Sequence, residues 1–154
     1  VGSLLDGRIG DAAGLKWSGL KWSHATTTAI RKRRSLMSYV DGFVLPVPKK
    51  NLAAYRKLAR KAGKIWKEYG ALEYVECVAD DVMPGKLTSF PQAVKLKADE
   101  VVVFSWIVYK SRAQRDKINK QVMADPRLAS MDPKSMPFDG KRMFWGGFKP
   151  IVSL

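Results

Sequence analysis

Asp41 is the residue of this chain whose surroundings most clearly invite chemistry. It sits in the middle of YVDGFVLPV, residues 39–47, with Tyr39 and Phe43 two positions to either side. A bare carboxylate among such neighbours is costly unless it is paired or protonated. Two readings follow. In the first, Asp41 is a desolvated general base with a raised pKa in an apolar cavity. In the second, it is half of a structural ion pair, with Arg142 or Lys141 reaching it across a sheet. The structural reading weighs more, because ion-pair networks perturb pKa values as readily as active sites do. Asp41 and Arg142 are thus the candidate catalytic residues.

The remaining reactive side chains exclude more than they support. Glu73 and Glu76 are three apart in an extended segment, so they fall on opposite faces and form no paired-carboxylate site, which argues against a glycosidase. Cys77 is the only cysteine, which removes intramolecular disulfides and cysteine-rich zinc sites. With no histidine near to activate it, Cys77 reads as a small buried residue rather than a nucleophile. His24 is the only histidine and lies outside the region expected to fold, which counts against His-ligated haem, a zinc hydrolase or a Ser-His triad. No metal and no cofactor are expected. Tyr39, Phe43, Phe104, Trp106 and Trp145, with Phe144 and Phe148 nearby, supply aromatic strands able to line a pocket for a flat organic ligand, or equally to form a core or dimer interface.

These residues need elements to hold them. The segment Val101–Tyr109, VVVFSWIVY, is the richest in β-branched and aromatic side chains and reads as a central strand. Val102, Phe104, Trp106 and Val108 fall on one face, Val101, Val103, Ser105 and Ile107 on the other, so both faces ask for cover. Tyr39–Val47 reads as a first strand ended by Pro46 and Pro48. From Lys49 to Tyr69 apolar residues recur at helical spacing, with Gly70 as the stop. Leu72–Ala79 is a second strand, and residues 80–99 a long turn-rich insertion. Ser111 caps a second helix running to about Ala124, with Ile118 and Val122 inward. Residues 125–139 read as a loop, and Lys141–Val152 as a last strand with Gly146-Gly147 as a bulge or close-approach point. The order β-α-β-β-α-β predicts a ferredoxin-like α+β fold, a four-stranded antiparallel sheet with two helices on one face. A second copy covering the other face would make a homodimer, a dimeric α+β barrel.

Residues 37–154 are the expected single domain. Residues 1–36 stand apart: GLKWS is repeated at 14–18 and 19–23, RKRR follows at 31–34, and no helix or strand period holds. The segment lacks the apolar core of a secretory signal and reads as a non-native or upstream-translated leader, with Met37 as the natural start. No apolar run reaches the roughly 18–20 residues needed to cross a bilayer. A cytoplasmic protein without a membrane partner is expected.

The segments YVDGFVLPVPKKNL, GALEYVECVADD, GKLTSFPQAVKLK, VVFSWIVYKSRAQRD and MPFDGKRMFWGGF together resemble the YbaA-like family of uncharacterised bacterial proteins. The similarity runs from Met37 to Leu154. It implies a dimeric α+β-barrel fold, in a wider superfamily that includes cofactor-free monooxygenases, lactone isomerases and haem-degrading enzymes. It brings no established reaction and no catalytic motif.

Charge supplies the competing function. The chain carries 28 Lys and Arg against 14 Asp and Glu, a formal +14, divided as +5 in residues 1–36 and +9 in the rest. Such a field draws phosphates and acidic molecules. On the helix 49–69, Arg56, Lys57, Arg60, Lys61 and Lys64 form a basic face, and Arg56, Arg60 and Lys64 repel one another at four-residue spacing by about 0.2–0.5 kcal/mol per pair. A nucleic-acid backbone would offset that repulsion; a solvated basic face explains it more simply, since no RNP-like motif or recognition-helix signature accompanies it. The two functional expectations are a binder of a small aromatic or acidic metabolite, in one form a cofactor-independent enzyme, and an RNA-binding or interaction module using the basic helix.

Overall fold

The computed structural model describes residues 38–132 and 135–153; the leader 1–36 and Met37 lie outside them. Strand β1 is Tyr39–Pro48, followed by a 3-10 turn Lys49–Asn51 and helix α1, Leu52–Glu68. Strand β2 is Glu73–Val78, α2 the short helix Phe90–Ala93, β3 Glu100–Tyr109, α3 Arg112–Met123, α4 the short helix Pro126–Ala129, and β4 Phe144–Phe148. The four strands form one antiparallel sheet in the order β2-β3-β1-β4. The α+β class and the ferredoxin-like arrangement expected from the sequence are present.

The register sorts the side chains. Asp41 pairs with Ile107 on β3 and with Gly147 on β4, and Phe43 with Ser105 and Trp145. Tyr74 and Glu76 of β2 pair with Ile107 and Ser105, so all of these residues share one face. Both long helices cover it. Ile65 of α1 and Ile118 and Val122 of α3 bury with Ile107, Tyr109 and Ala71, while Tyr55 and Ala59 of α1 bury with Leu45, Val47 and Val103. Each such fully buried aliphatic contributes roughly 1.5–3 kcal/mol. The opposite face holds Val40, Val44, Val75, Cys77, Phe104, Trp106, Val108, Phe144 and Phe148 by alternation. Among the described residues its end near Val44 and Val102 is covered by Val94 of the 80–99 stretch, and Phe90 reaches Phe104.

Several local expectations are corrected. Pro46 does not end β1 but lies within it, opposite Val102, and the strand runs to Pro48, its last residue, opposite Glu100. The pair Lys49 N–Asp99 O, 2.8 Å, places odd-numbered β1 residues in hydrogen-bonded register with β3. The even-numbered prolines therefore lack donors only on the β4 side, beyond the last β1–β4 pair, Val44–Phe144. The stretches 80–99 and 125–139, expected as loops, contain α2 and α4. Ser89 Oγ accepts from Gln92 N at 3.3 Å and Asp125 Oδ1 from Arg127 N at 2.9 Å, each cap followed by a proline in the first turn. The last strand is shorter than expected at both ends, with Gly140–Arg142 in a 3-10 turn and β4 stopping at Phe148; its two glycines pair regularly with β1 without a bulge, and Gly147 is the close-approach point. Among the described residues no helix is long and apolar enough to cross a membrane.

Candidate functional site

Between the helix-covered face and the helices lies a cavity of about 420 Å³, within the usual range for small-molecule sites. The sheet supplies its floor through Asp41, Phe43, Glu76, Ser105 and Trp145. Helix α1 contributes Leu58, Ala62 and Trp66, and α3 contributes Asn119 and Met123. The segments after α3 complete the wall with Leu128, Met131, Met136, Phe138 and Met143. Unbranched, polarisable methionines at one side of a cavity adapt to ligands of different outline. Among the described residues no lysine or arginine lines it.

Asp41 lies under this floor with 0% exposure. Its Oδ2 accepts from Asn119 Nδ2 at 3.2 Å. Asn119 is itself held, since Oδ1 accepts from Trp66 Nε1 at 3.1 Å and from the Tyr109 hydroxyl at 3.0 Å. Arg115 Nε stands 3.2 Å from Asp41 Oδ1, but neither atom makes a directed hydrogen bond, so their attraction is Coulombic. Arg115 is anchored elsewhere: Nη2 donates to the Tyr39 hydroxyl at 3.1 Å, Nη1 pairs with Asp116 at 3.0 Å, and the guanidinium lies 5.0 Å over the Tyr39 ring. Gly147 makes that seat, because a Cβ there would stand 2.6 Å from Arg115 Nη2. Burial pushes the Asp41 carboxyl above its ordinary value, with Asn119 and Arg115 opposing the shift only in part.

Glu76 is the second carboxylate of the cavity. Tyr55 donates to its Oε2 and Tyr74 to its Oε1, both at 2.7 Å. Burial, reinforced by the Glu76 charge, pushes both tyrosine hydroxyls well above their ordinary range. They therefore remain protonated donors. Tyr55 comes from α1 and Tyr74 from β2, so the clasp also fastens helix to strand.

The structure separates residues that the sequence grouped together. Phe43 and Trp145 line the cavity and stack at 6.2 Å. Phe104 and Trp106 do not; they lie on the opposite face, 5.6 Å apart, because residues of even number on β3 point away from the helices. Tyr39 serves at the edge, as the platform for Arg115. Arg142 does not reach Asp41. The 3-10 turn carries it to the start of β3, where it clamps Glu100 with contacts of 2.5 and 2.7 Å and Asp139 at 2.8 Å. Cys77 is exposed rather than buried. Of the basic helix residues, Arg56, Arg60 and Lys64 line a separate groove beside β2, whereas Lys57 and Lys61 do not. Sequence reading missed Arg115, Asn119 and Glu76 as site residues. For Asn119 and Arg115 a signal existed: both precede or follow buried Ile118 on α3 by one or three positions, next to the face that packs on the sheet.

Fold and site together define a small ferredoxin-like α+β protein with an apolar cavity between sheet and helices, and with no cluster of metal-ligating residues among those described. The chain belongs to the family described as protein of unknown function (DUF1428), which matches residues 38–140. It is 53% identical over 116 residues to the uncharacterized protein YbaA of Escherichia coli strain K12, covering 75% of this chain and 98% of YbaA; the Shigella flexneri relative matches to the same extent. Among solved structures, an uncharacterized NIPSNAP domain protein from Burkholderia xenovorans superposes with a TM-score of 0.45 at 14% identity, covering 74% of this chain and 95% of that one. A nipsnap family protein with unknown function from Agrobacterium tumefaciens gives 0.46 at 19% identity, covering 75% and 89%.

Proposed function

We propose that the protein binds a flat, neutral small molecule carrying a hydrogen-bond donor in the cavity between sheet and helices. The observation that carries this reading is the lining: aromatic and thioether walls over a floor whose charged groups are two carboxylates, with no cation among the described lining residues. An acidic ligand would face Glu76, which is held by neutral tyrosine hydroxyls and not by a cation, and this disfavours the acidic metabolite that net charge alone suggests. Ser105, 5% exposed, is the floor hydroxyl, and Glu76 presents acceptor lone pairs beyond those used by the tyrosines. Binding, rather than proton abstraction by Asp41, is the supported activity, because that carboxylate is shut off from solvent and held by Asn119. We further propose that the protein works as a homodimer through its open sheet face, and in the cytoplasm, which suits a free, exposed thiol at Cys77.

The test is calorimetric titration with 2-naphthol and with 2-naphthoate. The neutral ligand is expected to bind at least tenfold more tightly, and Ala62→Phe, which fills the cavity from α1, to abolish binding without unfolding the protein. Equal binding of the carboxylate, or binding indifferent to Ala62→Phe, would overturn the reading.

A further inference from the structure

Among the described residues strand β2 is a free edge of the sheet, and a groove of about 850 Å³ runs between it and α1. Arg56, Arg60, Lys64 and Lys67 line that groove from the helix side. The pair Ala79 N–Val102 O, 2.8 Å, directs the odd-numbered N–H groups of β2 toward β3. By ladder alternation the N–H and C=O groups of Tyr74, Glu76 and Val78 then point outward along the edge. Outward backbone groups of this kind are a template for another strand.

We propose that this edge accepts an extended acidic segment of another protein as a fifth strand, its acidic side chains at alternate positions meeting Arg56, Arg60 and Lys64. The spacings agree. Residues four apart on a helix rise about 6 Å, and alternate residues of a strand about 6.8 Å, so a row of acids on one face of the incoming strand meets the row of cations nearly one to one. The groove's own acids are already engaged: Glu68 pairs with Arg127 at 2.8 Å, and Glu76 takes both tyrosine hydroxyls. The mutual repulsion of Arg56, Arg60 and Lys64 is relieved in the complex. Nucleic acid fits less well. A phosphate backbone has no donors for the outward carbonyls, and the rings of Tyr55 and Tyr74 are turned inward to Glu76 instead of offering a stacking platform. A second copy fits less well too, because its own β2 brings one acid per face together with another basic groove.

The experiment is fluorescence anisotropy of the full chain with a labelled ten-residue alternating Glu-Thr peptide, an alternating Lys-Thr peptide and decauridylate. The Glu-Thr peptide is expected to bind, the Lys-Thr peptide not. The double variant Arg60→Glu, Lys64→Glu should weaken binding at least tenfold. Val78→Pro removes an outward donor and no β3 ladder donor, and should weaken it at least fivefold. Should Val78→Pro fail to fold, a Glu-Thr peptide N-methylated at every residue is the backbone probe and is expected not to bind. The proposal is overturned if the Glu-Thr peptide fails to bind, if it is insensitive to both backbone changes, which would leave a diffuse electrostatic contact, or if decauridylate binds more tightly with the same charge dependence.

Discussion

At Asp41 the cost of burial exceeds what Asn119 and Arg115 return, so its folded-state pKa lies above the ordinary 3.8. An acid that holds its proton more tightly when folded loses stabilising contribution as pH rises from about 3.8 through the folded value, and its penalty is fully present above that. Asp41→Asn should therefore leave stability at pH 7 within about 1 kcal/mol of the parent, or raise it, and flatten the pH dependence between pH 4 and 7. Arg115→Met is the opposite case, since it strands the carboxylate; a loss of about 3–5 kcal/mol at pH 7 is expected, shrinking as the pH falls toward 4. Urea unfolding of both variants at pH 4, 5.5 and 7 checks this. A loss of several kcal/mol for Asp41→Asn at pH 7 would show the ion pair to be net stabilising instead. That Asp41 is special was readable from its place between Tyr39 and Phe43. Its partner was not, because the strand order puts both β4 and α3 within reach of β1, and only the 3-10 turn at Gly140–Arg142 decides that Arg142 goes elsewhere.

Among the elements, two close approaches hold the site. α1 crosses β2 at Gly63, where a Cβ would stand 2.6 Å from the Tyr74 ring. In an exposed helix Gly→Ala gains about 1 kcal/mol; here overpacking dominates, and Gly63→Ala is expected to destabilise by about 1–3 kcal/mol and to disturb the Tyr74–Glu76 clasp. Thermal unfolding reads the first effect, and the tyrosine near-UV signal the second. The Arg142 clamp fastens β3 to the 94–95 turn, with Nη1 donating to Lys95 O at 3.0 Å. Its hydrogen bond holds the Glu100 carboxyl below its ordinary value of 4.5, against the burial that opposes it. Stability from this group is present above about pH 4.5 and lost as the pH falls through the folded value. Arg142→Met should cost about 3–5 kcal/mol at pH 7 and remove that acid-side loss. Measured midpoints that stay unchanged at pH 7 would contradict it. The long elements were readable because each shows a sustained period of two or 3.6. α2 and α4, four residues each, are too short for any period, and their cap-then-proline signals resemble those of a turn.

For the whole molecule, the question is what covers the second face of the sheet. Phe104, Phe144 and Phe148 are 41%, 45% and 61% exposed there, beside exposed Cys77, and Phe90 of α2 reaches only as far as Phe104, at 6.1 Å. A chain with a formal +14 repels its copies, yet the strand residues on this face include no lysine or arginine, and its charges are Glu73 and, at the covered end, Glu100, which Arg142 already pairs. Two copies can thus meet where their charge density is lowest and their apolar area greatest. A dimer burying on the order of 1,600 Å² is expected, strengthened by salt because screening weakens the net repulsion while leaving apolar burial intact. Phe104→Glu places a carboxylate in the centre of the contact and should yield a monomer with the helix-side cavity unchanged. Cys77 reports the same event chemically: its thiol should react slowly with a bulky disulfide reagent in the parent and rapidly in the variant. Sedimentation at micromolar concentration combined with thiol titration tests the pair. A parent that sediments as a 17.3 kDa species, with Cys77 reacting as fast as in Phe104→Glu, would mean that the open face meets something other than itself.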